Sequence, residues 1–235
     1  SLVGSEMCIR DRYVGSYGRG TAIGTSDIDI LFELPRSEYD RYDIYKGNGQ
    51  SRLLQAVKTA IQASYPRTDV RADGQVVKVS FADGMKFEVL PAFASRDWYG
   101  NMAYQYPDSN MGGNWRSTNP KAEQDAMRSK NDSDYGLLFD TCKHMRYIRD
   151  NYFSSYHLSG IVIDSFVYAT IGGWSWSQPS STSSAPAGDY ERHLYNAYIN
   201  TYRYVSTITA PGSNQTVDLR NSRDCLEKVL YKMTQ

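Results

Sequence analysis

The feature that most constrains this chain is Ser26-Asp27-Ile28-Asp29-Ile30-Leu31-Phe32, preceded by Gly15-Ser16-Tyr17-Gly18-Arg19-Gly20. The two-residue period of a strand puts Asp27 and Asp29 on one face and Ile28, Ile30 and Phe32 on the other. The apolar face can enter a core, which leaves two carboxylates pointing the same way. Such a pair repels itself unless a cation sits between its members, and hard oxygen ligands select Mg²⁺ or Mn²⁺. Upstream, Gly15-Ser16 opens a glycine-rich turn that can aim backbone N–H groups and one hydroxyl at phosphate oxygens. The stretch reads as a phosphate grip followed by a metal-binding strand. An isolated Asp-x-Asp is weak evidence, because exposed edge strands often carry acids. Coupled to Gly15-Ser16 and to a third acid, Glu88, on a later strand, it supplies the three carboxylates that two-metal phosphoryl transfer needs.

Composition limits the partners. The 26 basic and 26 acidic residues among 235 cancel, which disfavours nucleic acid as the main partner while leaving room for a local basic groove. No apolar run reaches the roughly 20 residues of a membrane helix, so no membrane partner is expected. Cys8, Cys142 and Cys225 form no C-x-x-C pair, and neither a disulfide framework nor a zinc site is suggested. The expected setting is the cytoplasm.

Along the chain, residues 1–12 lack an amphipathic period and read as a leader, either non-native or a frayed natural tail. Pro35 to Gln50 is polar and reads as a loop. Leu53, Leu54, Val57, Ala60 and Ile61 recur at helical spacing after Ser51, predicting a helix over 51–64. Val76–Phe81 and Met85–Leu90 are strand patterns joined by Ala-Asp-Gly, a hairpin in which Phe87 and Val89 face one way and Glu88 the other. Residues 94–118 read as a long irregular connection, closing over the site. Helices are predicted over 119–130, 135–153, 158–171, 189–207 and 222–232, the third apolar nearly all round and hence buried. Ser177 to Gly188 is a low-complexity, Ser/Pro-rich flexible loop. The expected division is a leader at 1–12, a mixed α/β core at 13–95 and a mainly helical lobe at 96–235.

Gly15-Ser16, Asp27-Ile28-Asp29 and Glu88 together resemble the polymerase-beta-like nucleotidyltransferases. More narrowly, Gly-Ser-Tyr-Gly-Arg-Gly-Thr-Ala-Ile, then Ser-Asp-Ile-Asp, then Met-Lys-Phe-Glu-Val-Leu-Pro-Ala-Phe resemble the bacterial cGAS/DncV-like nucleotidyltransferases, of SMODS type. The likeness runs on more loosely at Thr-Asn-Pro-Lys near residue 120 and at Cys142-Lys143-His144-Met145-Arg146. It implies an α+β fold with a mixed sheet, a helical lobe and an active site in the cleft between them. It implies an enzyme that condenses nucleoside triphosphates (ATP, or GTP, CTP or UTP) into a cyclic or linear oligonucleotide second messenger, commonly for antiphage signalling, and it allows a regulatory protein partner. Carried over, Gly15 and Ser16 hold the donor phosphates, and Asp27 and Asp29 ligate two Mg²⁺ (or Mn²⁺) ions. Glu88 completes the metal site and helps to activate the attacking ribose hydroxyl, and Lys143 contacts the triphosphate.

Two departures stand out. Many relatives carry Asp at the third acid, and the extra methylene of Glu88 moves its carboxylate outward. The long helix that normally precedes the Gly-Ser turn is missing or replaced by residues 1–12. Lys143, Arg146 and Arg149 share a helix face, and for Arg149 the favoured reading is a solvated basic stripe. The histidines, Tyr190, Tyr195, Tyr198, Tyr202 and Tyr204, and Trp174 and Trp176 are read as packing residues. Two other functions stay open: a nucleotide-binding module without catalysis, and a nucleotidyltransferase that modifies RNA or protein.

Overall fold

In a computed structural model that describes residues 11–96, 100–178 and 185–235, the chain divides into two units. The first comprises Ser1–Gly18 and Asp27–Pro120, and the second Arg19–Ser26 and Lys121–Gln235.

The first unit is built on a mixed sheet. Strand β1 (Asp11–Tyr13) leads into a short helix, α1 (Gly15–Arg19), and then into β2 (Ile28–Leu34). Helices α2 (Arg36–Asp43) and α3 (Gly49–Ser64) follow, then β3 (Asp69–Asp73), β4 (Val76–Ser80) and the long β5 (Lys86–Arg96). The order is β1-β2-β5-β4-β3, with β2 and β5 parallel and the remaining pairs antiparallel. One sheet face is apolar as the alternation predicts: Leu34, Val70, Val77, Val79 and Phe93 pack with Leu53, Leu54 and Val57 of α3. Burying each of these leucines contributes about 1.5–3 kcal/mol relative to leaving it exposed. The opposite face carries Asp29 and Glu88, with a small cluster of Val14, Leu31, Ala92 and Tyr104 beside them.

Four expectations change here. Asp11 and Arg12, assigned to the leader, pair with Phe32 and Leu31 of β2; residues 1–10 lie outside the described residues. The polar stretch after Pro35 contains α2, whose Tyr42 reaches the α3 core. The connection at 94–118 is largely ordered sheet: β6 (Met102–Asp108) pairs with the end of β5, and β7 (Asn114–Thr118) pairs with β6. The sheet therefore runs past residue 95, where the composition suggested that the first domain ends. Trp115 explains how so polar a strand is held: its ring lies 4.7 Å from Tyr39 and 5.6 Å from Phe93, and its Nε1 donates to Asp43 at 2.7 Å.

The second unit is helical. It contains α4 (Pro120–Ser133), α5 (Leu137–Tyr152), α6 (Gly160–Thr170), α7 (Asp189–Ala197), a π-helical turn at Tyr198–Tyr202 and α8 (Arg223–Met233). A two-stranded ribbon, β8 (Thr207–Thr209) with β9 (Thr216–Asp218), brackets Pro-Gly-Ser-Asn. Its core draws on Leu138, Met145, Phe166, Tyr198 and Leu226. Helix α6 is buried almost throughout, as its all-round apolarity requires. Of the predicted flexible loop, 179–184 lie outside the described residues. Cys142 and Cys225 are buried free thiols, and burial pushes the Cys142 thiol well above its ordinary pKa. No helix among the described residues is long and apolar enough to cross a membrane.

Candidate active site

Strand register brings two of the predicted acids together. Asp29 stands opposite Glu88 on the parallel pair β2 and β5, so both side chains leave the same face of adjacent strands. Asp27 lies just before β2 and is exposed. With Glu88 it lines a cavity of about 290 Å³, whose other walls include Arg71, Lys78, Ser80 and Lys86. Gly15 sits against this site for a steric reason. Its backbone has φ +57°, and a Cβ added there would fall 1.8 Å from Asp29 Oδ2. Any side chain at position 15 would displace that carboxylate. The Val14 N–H donates to the Asp29 carbonyl at 2.9 Å, which fixes the approach. Ser16 follows on α1 and is half-buried.

Cross-strand pairing adds a residue that the motif did not single out. Lys78 of β4 is the partner of Glu88 on one side and of Arg71 on the other. A row therefore crosses the sheet face in the order Arg71, Lys78, Glu88, Asp29. Lys78 Nζ lies 2.7 Å from Asp73 Oδ2 and 3.5 Å from Glu88 Oε1. The bond to Asp73 raises the Lys78 pKa, burial opposes the rise, and Glu88 adds to it. The signal was in the sequence: Val77 and Val79 flank Lys78 and enter the core, so Lys78 must share the face of Glu88 once the hairpin register is set.

The donor set suits a hard divalent cation, being carboxylate oxygen without sulfur or imidazole. Among the described residues, no three acid, histidine or cysteine side chains stand close enough together to hold an ion as they lie. Holding one ion with Asp27, Asp29 and Glu88 would therefore take rotation of side chains.

In the second unit Lys143 is half-buried on α5, and its helical neighbour Arg146 is buried. Arg146 is 1 % exposed, donating to both oxygens of Asp164 at 2.7 and 2.9 Å and to the Gly160 carbonyl at 3.0 Å. Asp164, wholly buried, also accepts from Arg19 Nε at 2.7 Å and Thr21 Oγ1 at 3.1 Å, while Arg19 reaches Glu123 at 3.1 Å. Burial pushes the Asp164 carboxyl up, but the Arg146 and Arg19 guanidiniums outweigh it and hold the pKa below the usual range. Arg149 donates to Asp150 at 2.6 Å and to the Leu158 carbonyl at 3.0 Å. Arg19 and Thr21 belong to the segment that joins the Gly-Ser turn to β2, and its role as an anchor was not legible in the motif. His193 bonds the Thr170 carbonyl at 2.7 Å, and Trp174 packs against Tyr190 with ring centres 5.5 Å apart, both as packing groups.

Residues 4–131 match the family model described as Second Messenger Oligonucleotide or Dinucleotide Synthetase domain. A protein of Bacillus cereus (strain VD146), named a probable cyclic nucleotide synthase, is 26% identical over 123 residues, covering 49% of this chain and 36% of that protein. The chain thus spans about a third of the length of this relative. Among solved structures, the CdnE cyclic dinucleotide synthase of Elizabethkingia meningoseptica, with GTP and Apcpp, aligns with a TM-score of 0.66 at 16% identity. It covers 97% of this chain and 84% of that one. A mutant of the Vibrio cholerae di-nucleotide cyclase DncV aligns with a TM-score of 0.64 at 14% identity, covering 94% and 62%. These likenesses show the fold alone, a mixed sheet with helices, as the sequence implied.

Proposed function

This chain belongs to the Second Messenger Oligonucleotide or Dinucleotide Synthetase family, and on that premise we propose that it condenses nucleoside triphosphates into a cyclic or linear oligonucleotide second messenger. The observation that carries the reading is the register of Asp29 against Glu88, with Gly15 closed against the Asp29 carboxylate. A ribose hydroxyl oxygen bonds to the alpha-phosphorus of a second nucleotide, the bond to pyrophosphate breaks, and the hydroxyl proton passes to a base. Glu88 is that base, since it is partly exposed and borders the cavity that also meets Asp27.

Asp27, Asp29 and Glu88 are the residues that would hold divalent Mg²⁺ or Mn²⁺, two ions in all. When bound, the metal supplies positive charge that favours ionisation of the hydroxyl and stabilises the departing pyrophosphate. Ser16 donates its hydroxyl to the donor phosphates, and Gly15 lets the backbone come close to them. Lys143 offers a point charge to the triphosphate. Much of the remaining rate gain comes from holding two nucleotides in attack geometry. ATP, GTP, CTP or UTP would serve as substrates; a bacterial cytoplasm, antiphage signalling and a regulatory protein partner are the setting this reading carries.

The test is incubation with labelled triphosphates and Mg²⁺. Pyrophosphate release should fall by on the order of a thousandfold in Asp27→Ala and in Asp29→Ala, with melting temperatures close to that of the parent. Nucleotide binding without turnover in the parent would favour the non-catalytic module instead.

A further inference from the structure

The Glu88 carboxylate stands partly exposed at the end of a flexible side chain, and a role in metal binding needs something to fix where it points. The sheet provides a candidate. Lys78 is its cross-strand partner, on the face shared with Asp29. Its ammonium is tied at 2.7 Å to Asp73, at the end of the neighbouring strand β3, and lies 3.5 Å from Glu88 Oε1. A lysine stem is flexible by itself, but one anchored to a second carboxylate presents its charge from a defined point. Attraction to that point draws Oε1 toward β4.

Resting on the catalytic reading above, we propose that Lys78, anchored by Asp73, is a positioning residue that sets the orientation of Glu88 for divalent-metal binding and proton transfer. Groups that orient a metal-binding carboxylate through its second oxygen commonly matter for affinity by 10–100-fold, that is, about one to two orders of magnitude.

The experiment measures Mn²⁺ binding to the full chain without nucleotide, by electron paramagnetic resonance, alongside kcat and KM for pyrophosphate release. Lys78→Met should weaken Mn²⁺ binding about tenfold and lower kcat with little change in nucleotide KM, and Lys78→Arg should restore most of both. In a Glu88→Ala background the same Lys78→Met change should alter Mn²⁺ affinity by less than about twofold, since the carboxylate it orients is gone. Lys78→Gln, which keeps a hydrogen-bond donor on the sheet face, should lie between Met and Arg. Equal or tighter Mn²⁺ binding in Lys78→Met, or a full independent loss in the Glu88→Ala background, overturns the proposal while Asp29→Ala still abolishes binding. A parent chain that binds no Mn²⁺ overturns the catalytic reading, and this proposal with it.

Discussion

Asp29 and Asp164 are the same residue type in opposite settings. Asp164 is wholly buried in the helical unit, bonded by two guanidiniums and a threonine hydroxyl. Asp29 stands half-exposed on the sheet face of the other unit, register-paired with Glu88, whose neighbouring ammonium lies 3.5 Å away. A carboxylate whose lone pairs are taken up by arginines has no room to exchange ligands, and removing it strands buried positive charge. A partly exposed acid on an open sheet face can accept a cation and release it. Burial and saturation therefore separate a structural acid from a chemical one, where residue type does not.

Asp164→Ala should break the comparison most visibly. Leaving Arg146 and Arg19 buried without their acceptor costs about 3–5 kcal/mol of stability, read by urea or thermal unfolding. The same group sets a pH dependence. Its folded pKa lies below the unfolded value, so its contribution is fully present above about pH 4 and is lost as the pH falls through the folded pKa. Unfolding free energy should decline on acidification below about pH 4, and an Asp164→Asn variant should lose that part of the slope. A flat acid limb in the parent would contradict the role given to Asp164.

Gly15→Ala should have a smaller effect on stability and a larger one on chemistry. The left-handed backbone alone costs about 1–2 kcal/mol for a residue with a Cβ. That Cβ would also push the Asp29 carboxylate aside, and misplacing a catalytic group by about 1 Å can cost on the order of a hundredfold in turnover. Activity equal to the parent's would mean that Asp29 need not stay where Gly15 allows it.

Much of the site was legible because it is local. The alternation Ile28, Asp29, Ile30 and the hairpin around Ala-Asp-Gly fix both strand faces from nearest-neighbour chemistry. The long-range parts were hidden for equally physical reasons. β6 and β7 are held by pairing to β5 and by the Trp115, Tyr39 and Phe93 rings, contacts that a polar stretch rich in Asn and Gly does not announce. The part Arg146 plays was hidden because helical spacing reports neighbours on one helix and not the Asp164 carboxylate of the next. Lys78 became visible only once the register placed it beside Glu88.

The most direct test of the central claim is mass spectrometry of the product formed from an equal mixture of ATP, GTP, CTP and UTP with Mg²⁺, by the parent and by Asp29→Ala. The account predicts a cyclic or linear oligonucleotide from the parent and none from the variant, with both proteins folded. The same product from both, or intact triphosphates with the parent, would contradict it.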